Sequence, residues 1–360
     1  MSPTSTRKPA ARPKAKRNLS RSTTRRKVAG KVNNKSQQIG IPRMAKRDFI
    51  DLQNLTRKEF FGLLKLAADL KAYPGRYRNV LDGKGLAMIF EKPSLRTRVT
   101  FDVAMQSMGG YAVFLDFTDS PLGEREDIVD VARNLELWLH AIVARTFEHQ
   151  SILSLAESAG IPVINGLSDY SHPCQALADF LTLMEQFAGF KSPGDRRKPL
   201  KLAYIGDGNN TVHSLLEAAA LAGIDMAVAT PVGYEPDAAV LARVAEIADE
   251  SGSHIVVCNE IEPAVEGAHA VYTDTWASMG QEAESAQRAR DFAEFQVNED
   301  VMELARPGAR FMHCLPAHRG QEVSVDVIDS PTSVVYLQAE NRLHAQKAIL
   351  ASLIAGAPAR

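Results

Sequence analysis

Residues 85–98 read GLAMIFEKPSLRTR, an apolar run followed by a turn and by a polar segment that can open a helix. The run 85–90 is typical of a strand that is buried on both faces, as in a parallel sheet. Pro93 favours a turn that leads into a helix. The stretch therefore predicts a strand–turn–helix unit, the building block of an α/β fold.

The same alternation of short apolar runs and helical patterns extends along most of the chain. Strands are expected at 85–90, 111–115, 141–144, 162–164, 200–205, 226–230, 254–258, 270–273 and 310–313, and helices at 52–72, 100–108, 128–139, 152–159, 172–187, 210–222, 238–251 and 339–355. A polar break rich in Pro and Gly at 189–199 separates two such series. The pattern predicts an α/β fold of two doubly wound domains, each with a central parallel sheet flanked by helices, joined by interdomain helices.

Length and composition agree with two globular domains. The chain has 360 residues, of which 45% are hydrophobic and 24% charged. Single hydrophobic cores rarely grow beyond about 250–300 residues. We expect a basic extension at 1–47, domains at 48–187 and 188–338, and a C-terminal helix at 339–360 that packs back on the first domain. No stretch reaches the ~20 apolar residues of a membrane span, so we expect no membrane partner.

The three cysteines, Cys174, Cys258 and Cys314, form no CxxC pair. An odd number without ligand spacing predicts neither a disulfide framework nor a structural zinc site. We therefore expect reduced thiols, a cytoplasmic location, and no metal or cofactor.

The first 47 residues contain 15 Lys or Arg and no Asp or Glu. Such a segment buries too little apolar surface to offset its ordering entropy, and we expect it to be disordered. We favour a solvated extension, since Met44 begins a plausible alternative start. A tether for nucleic acid or another anionic surface and an organelle transit peptide remain open, but we do not expect nucleic acid as a partner.

Residues 94–98, SLRTR, predict an anion site at a helix N-terminus. The first turn of a helix offers unpaired N–H groups and the positive end of the dipole. Ser94 and Thr97 add hydroxyl groups, and Arg96 adds a guanidinium that matches phosphate geometry. A capped helix with two solvated arginines is the alternative.

Residues 165–179, NGLSDYSHPCQALAD, predict a group that polarises a carbonyl. His172 and Gln175 are three residues apart on the first turn of a helix and share a face. Arg145, at the end of a strand, can add positive charge to the same oxygen. Donors fixed at such an oxygen stabilise the negative charge that develops during amine attack. A helix cap is the alternative role for His172.

Three further segments follow predicted strands and suit an amino-acid ligand. Residues 206–214, GDGNNTVHS, are not a dinucleotide fingerprint, and Asn210 either caps a helix or binds a zwitterion. Asp274 can bind an amine or cap a turn. Cys314 lies in HCLP, 313–316, and two further interpretations are open for it. It can be a nucleophile with His313 or His318 as its base, or it can be a zinc ligand together with neighbouring His and Cys residues.

These motifs, together with RTFEH at 145–149, DTWASMGQE at 274–282 and HCLPAHRG at 313–320, resemble the aspartate/ornithine carbamoyltransferase family in its ornithine-type form. The resemblance covers roughly 49–353. It implies carbamoyl phosphate and L-ornithine as substrates, L-citrulline and phosphate as products, and a homotrimer with shared sites. It implies the carbamoyl-phosphate ligands Ser94, Leu95, Arg96, Thr97, Arg145, His172, Pro173, Cys174, Gln175, Cys314, Leu315 and Arg342. It implies the ornithine ligands Asn210, Asp274, Ser278 and Met279, and catalytic roles for Arg145, His172, Asp274 and Cys314.

Two positions depart from the family pattern. Leu95 stands where Thr is usual, a position that mainly offers its backbone N–H. Pro121 lies in a loop, 120–126, that reaches the neighbouring subunit in the family, and many members have Gln or His there. We expect Arg125 to supply that contact instead. A carbamoyltransferase for acylornithine or putrescine, and a non-catalytic anion-binding protein, remain the alternatives.

Overall fold

The computed structural model describes residues 40–42, 44, 48–188, 199–277 and 282–355. Most of the basic extension, nearly all of the polar break at 189–199, and the predicted ligands Ser278 and Met279 lie outside the described residues.

The first half of the chain forms a four-stranded parallel sheet in the order β2-β1-β3-β4. Its strands are β1 (Gly85–Phe90), β2 (Tyr111–Asp116), β3 (Ala141–Arg145) and β4 (Val163–Leu167). Its helices are α1 (Arg57–Ala72), α2 (Leu95–Ser107), α3 (Ile128–Trp138), α4 (His149–Ser158) and α5 (Pro173–Gln186). The chain reverses its direction of winding between β1 and β3, which opens a crevice at the carboxyl ends of these two strands.

The second half forms a five-stranded parallel sheet in the order β7-β6-β5-β8-β9. Its strands are β5 (Lys201–Ile205), β6 (Asp225–Ala229), β7 (Ile255–Cys258), β8 (Ala270–Thr273) and β9 (Arg310–His313). Its helices are α6 (Asn210–Ala222), α7 (Ala238–Ser251), α8 (Ile261–Val265), α9 (Ser285–Asp291), α10 (Glu299–Leu304), α11 (Val325–Ile328) and α12 (Val335–Leu350). The winding reverses between β5 and β8, so this sheet also has a crevice at its strand ends.

The predicted α/β class with two parallel sheets is confirmed, and the nine predicted strands are present with small shifts at their ends. Several helix boundaries were wrong. The helical pattern expected at 100–108 extends back to Leu95, which confirms that SLRTR opens a helix: the Ser94 side chain caps it, accepting a hydrogen bond from Thr97 N. The helix expected at 52 begins at Arg57, after a capping box formed by Thr56 and Glu59.

The last long helix begins at Val335 instead of 339, and its α-helical part ends at Leu350, before a π-helical turn at Ala351–Ala355. It packs against α1, α2 and α5 of the first half. The short helices α8, α10 and α11 were not predicted because four to six residues are too few to display a helical period. We propose that the two sheets mark two domains, divided near residue 188.

The largest hydrophobic cluster joins the two halves through three helices. Phe180 of α5, Leu215 of α6 and Ala348 of α12 are all fully buried in it. The helices that carry residues of the two crevices are therefore packed on one shared core, which limits relative movement at this junction. No described helix has both the length and the apolar character required to cross a membrane.

Glu217 on α6 provides a test of this junction. Its side chain is buried, and its Oε2 accepts a hydrogen bond from Leu52 N at 3.1 Å, near the buried Asp51. Burial, with a smaller contribution from Asp51, raises the pKa of Glu217 from 4.5 to about 8. Because folding favours the neutral form, the stability present below pH 4.5 is lost as pH rises through about 8.

Glu217→Gln keeps an acceptor oxygen and cannot ionise. We expect the variant to match wild type near pH 5 and to be more stable at pH 8.5, by on the order of 3 kcal/mol in unfolding free energy. Thermal unfolding at both pH values measures the difference. Equal melting temperatures of the two proteins at pH 8.5 would contradict this assignment.

Candidate active site

A cleft of about 800 Å³ lies where the carboxyl ends of the two sheets meet. Its wall contains ten of the predicted site residues, namely Ser94, Arg96, Thr97, Arg145, His172, Asn210, Asp274, Cys314, Leu315 and Arg342. The segments after β1, β3 and β4 supply the side from the first half, and those after β5, β6, β8 and β9 supply the other. Two strand-end crevices thus form one site, as expected for ligands bound at reversal points of parallel sheets.

The first half contributes a helix N-terminus and a hydroxyl held by an arginine. Ser94 caps α2, so the first N–H groups of this helix point toward the loop that lines the cleft. Thr97 is buried, and its Oγ1 accepts a hydrogen bond from Arg342 Nη2 at 2.9 Å. Arg342 comes from α12, so the last long helix completes a site formed mainly by the first sheet.

An irregularity in the sheet sets the orientation of Arg145. Ala144 pairs with Asn165, but Arg145 pairs with Leu167, so β4 has one extra residue at this point. Such bulges redirect side chains and often lie beside active sites. Burial, together with the positive charges of Arg342 and Arg96, lowers the pKa of Arg145 to about 9. Guanidinium groups that repel one another in this way are stabilised when a dianion binds between them.

His172 is buried at the start of α5, and its backbone N donates to Ser214 Oγ at 2.9 Å. His172 is the N-cap residue of α5, as the alternative interpretation expected, but its side chain makes no capping hydrogen bond. Burial, followed by the charges of Arg342 and Arg145, holds the pKa of His172 well below its usual range. The imidazole is therefore neutral near pH 7 and offers one N–H donor to a ligand.

Four predicted carbamoyl-phosphate ligands lie behind or beside the cleft wall. Gln175 is buried: its Oε1 accepts from Arg342 Nη1 at 2.6 Å and its Nε2 donates to Asp179 Oδ1 at 2.8 Å. Cys174 is fully buried, and burial raises its pKa to about 12. Pro173 is the buried first residue of α5. The Leu95 side chain is 75% exposed on the first turn of α2, which leaves its backbone N–H as its contribution.

The second half contributes a carboxylate and a thiol that contact each other. Asp274 Oδ1 accepts from Cys314 Sγ at 3.0 Å and from Thr275 N at 2.8 Å. Asp274 Oδ2 accepts from Asn209 Nδ2 at 3.2 Å. Burial, followed by the charge of Asp274, raises the pKa of Cys314 well above its usual value. The protonated thiol is a poor nucleophile, which argues against covalent catalysis by Cys314.

Asn210 links the two sides of the cleft, and Leu315 lies in its wall with an uncommon backbone conformation. Asn210 begins α6, and its Nδ2 donates to the backbone oxygen of Ser168 in the first half. Leu315 has a φ of 59°, a left-handed conformation that is uncommon for a bulky side chain and frequent at functional sites.

Among the described residues, Asp274, His313 and Cys314 can bring one ligand atom each within 4.8 Å of one another. His313 Nδ1 accepts from Leu315 N at 2.8 Å, and its Nε2 lies 3.3 Å from Glu322 Oε1. Both ring nitrogens are therefore engaged, and the thiol is protonated, so this group suits hydrogen bonding better than metal binding.

The cleft also contains charged residues that the sequence interpretation missed. Lys92 is buried beside the SLRTR segment, with Nζ 4.4 Å from the Phe147 ring centroid. Arg288 Nη1 lies 3.0 Å from Asp207 Oδ2 and donates to Trp276 O at 2.9 Å. Lys92 lies next to the SLRTR segment, and Asp207 lies within GDGNNTVHS, 206–214, so both are in or beside segments that the sequence analysis identified. Arg288 lies in a polar helical stretch that gave no such signal.

Comparisons with known proteins agree with this arrangement. Residues 47–185 match the carbamoyl-phosphate-binding domain of aspartate/ornithine carbamoyltransferases, and residues 198–353 match the aspartate/ornithine-binding domain. The chain is 50% identical over 312 residues to an ornithine carbamoyltransferase from Pyrococcus abyssi, covering 86% of this chain and 96% of the relative. A relative of the same name from Anoxybacillus flavithermus is 51% identical over 310 residues, with 86% and 96% covered.

The fold is similar to that of the solved ornithine carbamoyltransferase from Pyrococcus furiosus. The TM-score is 0.82 at 49% sequence identity, with 87% of this chain and 98% of that chain covered. With both family domains matched in order and half of the residues identical over most of its length, the chain belongs to the aspartate/ornithine carbamoyltransferase family.

Proposed function

We propose that the chain transfers the carbamoyl group of carbamoyl phosphate to the side-chain amine of L-ornithine, giving L-citrulline and phosphate. The observation that carries this proposal is the pairing, in one cleft, of a cluster of guanidinium groups with a carboxylate–thiol pair. The first group suits a dianionic donor and the second suits an amine acceptor. The names of the relatives agree with this assignment.

Carbamoyl phosphate would bind on the side formed by the first half. We assign its phosphate to the N-terminus of α2 and to the side chains of Arg96, Thr97 and Arg342. Guanidinium groups stabilise the phosphate dianion as the bond to the carbamoyl carbon breaks. Gln175 holds Arg342 from behind and so contributes through that arginine in the described geometry.

The carbonyl oxygen would lie against His172 and Arg145. A neutral imidazole can donate an N–H to this oxygen, and Arg145 adds positive charge near it. Both groups are buried and therefore fixed before reaction. Fixed donors favour the negative charge that develops on the oxygen when an amine attacks.

L-Ornithine would bind on the side formed by the second half. We assign the amines of ornithine to the carboxylate of Asp274 and the polar groups on its α-carbon to Asn210. Ser278 and Met279 are assigned as further ligands of ornithine. The Cys314 thiol and the backbone oxygen of Leu315 lie in the same wall, where they can contact the reacting nitrogens. The amine nitrogen forms a bond to the carbonyl carbon, the C–O bond to phosphate breaks, and the proton that the amine loses is taken up by the departing phosphate.

The amine must be neutral to attack, which predicts a rise of activity with pH. The reference pKa of such an amine is ~10.4, so its neutral fraction grows about tenfold per pH unit below that value. His172 has a lowered pKa and stays neutral above pH 6.5, so its titration does not oppose the rise of activity with pH. We expect log kcat/KM for ornithine to rise with a slope near one between about pH 6.5 and 8.5. A rate that falls over this range would contradict direct attack by a neutral amine.

A colorimetric citrulline assay tests the proposal, with ornithine, N-acetylornithine and putrescine as competing acceptors. We expect turnover with ornithine and at least a hundredfold lower kcat/KM with the other two amines. Acetylation removes the α-amine charge, and putrescine lacks the carboxylate. Preference for either of the other acceptors would assign the chain to a different carbamoyltransferase activity.

We propose that the chain performs this function as a homotrimer. Leu95, Val99 and Val103 repeat at four-residue spacing on α2 and are 75%, 48% and 42% exposed. Tyr111 and Val113 of the neighbouring edge strand β2 are exposed as well. An apolar surface next to the phosphate loop suits contact between copies of the chain, with Arg125 reaching the neighbouring site. Light scattering that gives the mass of one chain would refute the trimer.

We further place the reaction in arginine synthesis in the cytoplasm. One relative, from Pyrococcus furiosus, is named an anabolic ornithine carbamoyltransferase and is 50% identical over 315 residues.

A further inference from the structure

Asp179 is a fully buried carboxylate one turn after Gln175 on α5. Its Oδ1 accepts hydrogen bonds from Gln175 Nε2 and from Gln338 Nε2, both at 2.8 Å. Its Oδ2 accepts from Tyr272 OH at 3.0 Å. The three donors come from α5, α12 and β8, so one carboxylate connects elements of both halves.

One branch of this network leads to the donor side of the cleft. Because a carboxylate only accepts hydrogen bonds, Asp179 fixes the Gln175 amide with its nitrogen inward and its oxygen toward Arg342. That oxygen accepts from Arg342 Nη1 at 2.6 Å, and Arg342 Nη2 donates to Thr97 Oγ1 at 2.9 Å. The position of the buried guanidinium therefore depends on Asp179.

The other branch leads to the acceptor side. Gln338 Oε1 accepts a hydrogen bond from the backbone N of His313 at 3.0 Å, directly before Cys314 in the chain. Tyr272 lies on β8, two residues before Asp274. Since Cys314 Sγ donates to Asp274 Oδ1 at 3.0 Å, both strands that carry this pair are tied to Asp179.

Burial of the Asp179 carboxylate disfavours its charged form. Burial raises the pKa of Asp179 to about 6, although hydrogen bonds from Gln338, Gln175 and Tyr272 act in the opposite direction. Replacing a whole buried charged network by packed apolar side chains is often neutral or stabilising, so stability alone gives little reason for a carboxylate here. The geometry of its three partners gives a reason.

We propose that Asp179 is a positioning residue that holds Arg342 on the donor side and the Asp274–Cys314 pair on the acceptor side in one alignment. The inference rests on the function proposed above and extends it to a residue that does not line the cleft. The donor branch acts through Gln175, and the acceptor branch acts through Gln338 and Tyr272.

Cutting one branch tests the separation of the two roles. Gln338→Leu removes the link to His313 and leaves the Asp179–Gln175–Arg342 contacts in place. We expect the KM for ornithine to rise about tenfold, with the KM for carbamoyl phosphate within threefold of wild type. Thr182→Val is the matched control, because Thr182 Oγ1 accepts from Asn341 Nδ2 at 3.0 Å in the same α5–α12 contact but belongs to neither branch. The control should leave both KM values within twofold.

A conservative replacement tests whether hydrogen bonding is what matters. Asp179→Asn keeps an oxygen for the two Gln amides, and its amide nitrogen can donate to the Tyr272 hydroxyl, which can accept. Asp179→Ala leaves all three donors without an acceptor. We expect Asn to keep kcat within about fivefold of wild type, and Ala to lose more than tenfold in kcat/KM for both substrates. If the Ala variant does not fold, the Asn and Gln338→Leu variants still decide.

The proposal is overturned if Gln338→Leu leaves the KM for ornithine within twofold of wild type, or if it raises the KM values for both substrates equally. It is also overturned if Asp179→Asn is as impaired as a folded Asp179→Ala variant. A wild-type chain that forms no citrulline would refute the proposed function instead. Amide hydrogen exchange at His313 would then test the network alone, since Gln338→Leu should accelerate it and Thr182→Val should not. Unchanged exchange in Gln338→Leu would refute the network.

Discussion

Arg96→Ala is expected to lower kcat/KM for carbamoyl phosphate by about 10²–10³-fold, the usual cost of removing one fixed donor to developing charge. Arg96 lines the cleft on the first turn of α2. Its positive charge contributes to the lowered pKa values of Arg145, His172 and Arg342, which places it close to all three. Its removal leaves the helix N-terminus and two guanidinium groups, so binding should weaken without being abolished.

Arg98→Ala is the matched control, with the same substitution two residues further along the same helix. The Arg98 guanidinium lies 3.7 Å from the Phe114 ring centroid and does not line the cleft. Its loss should leave kcat/KM for carbamoyl phosphate within about threefold, with a small loss of stability from the ring contact. Steady-state citrulline formation at varied carbamoyl phosphate measures both variants. Equal losses in the two variants would show that helix packing, not phosphate binding, explains the effect of Arg96.

The sequence patterns identified the strands well because each strand is a short apolar run next to a turn. β1, β8 and β9 have the predicted bounds, and α6 and α7 begin and end as predicted. Those helices have local signals at their ends: Asn209 caps α6 and Gly223 ends it in a left-handed conformation. Local chemistry of this kind is visible in the sequence without knowledge of the fold.

Features that depend on tertiary contacts were less accessible. The bulge that pairs Arg145 with Leu167 is a property of two strands together, and neither strand shows it alone. The inward orientation of Gln175 depends on Asp179, Gln338 and Arg342, of which Gln338 is 163 positions away in the sequence. Motif positions could therefore be predicted, whereas the distinction between side chains that face the cleft and side chains that support them required the structure.

The site also shows why a nucleophilic cysteine was a reasonable but weaker interpretation. Cys314 has His313 beside it in sequence, which resembles a nucleophile and its base. In the structure His313 Nδ1 accepts from Leu315 N, and its Nε2 faces Glu322, so neither nitrogen is directed to the thiol as a base. The thiol donates to Asp274 instead. The Asp274–Cys314 pair that results can recognise an amine.

Asp274→Asn is expected to lower kcat/KM for ornithine by about 10–100-fold, the range that corresponds to the 1.5–3 kcal/mol of a hydrogen bond to a charged group. Asn keeps an oxygen for the hydrogen bond from Thr275 N, so the local backbone should persist, but it has no negative charge to attract the cationic α-amine of ornithine. Calorimetry with an unreactive phosphonate analogue of carbamoyl phosphate should show affinity within threefold of wild type, since Asp274 lies on the acceptor side.

Asp169→Asn separates loss of the specific contact from loss of charge. Asp169 lines the same cleft, and its Oδ1 accepts from His149 N at 2.8 Å, a bond that Asn can also accept. Both variants remove one negative charge, so a general change of the field should appear equally in both. If only Asp274→Asn weakens ornithine use, the carboxylate beside Cys314 recognises the amine directly. Equal loss of affinity for both ligands in Asp274→Asn would instead mean that this residue supports the cleft as a whole, and the division into a donor side and an acceptor side would have to be abandoned.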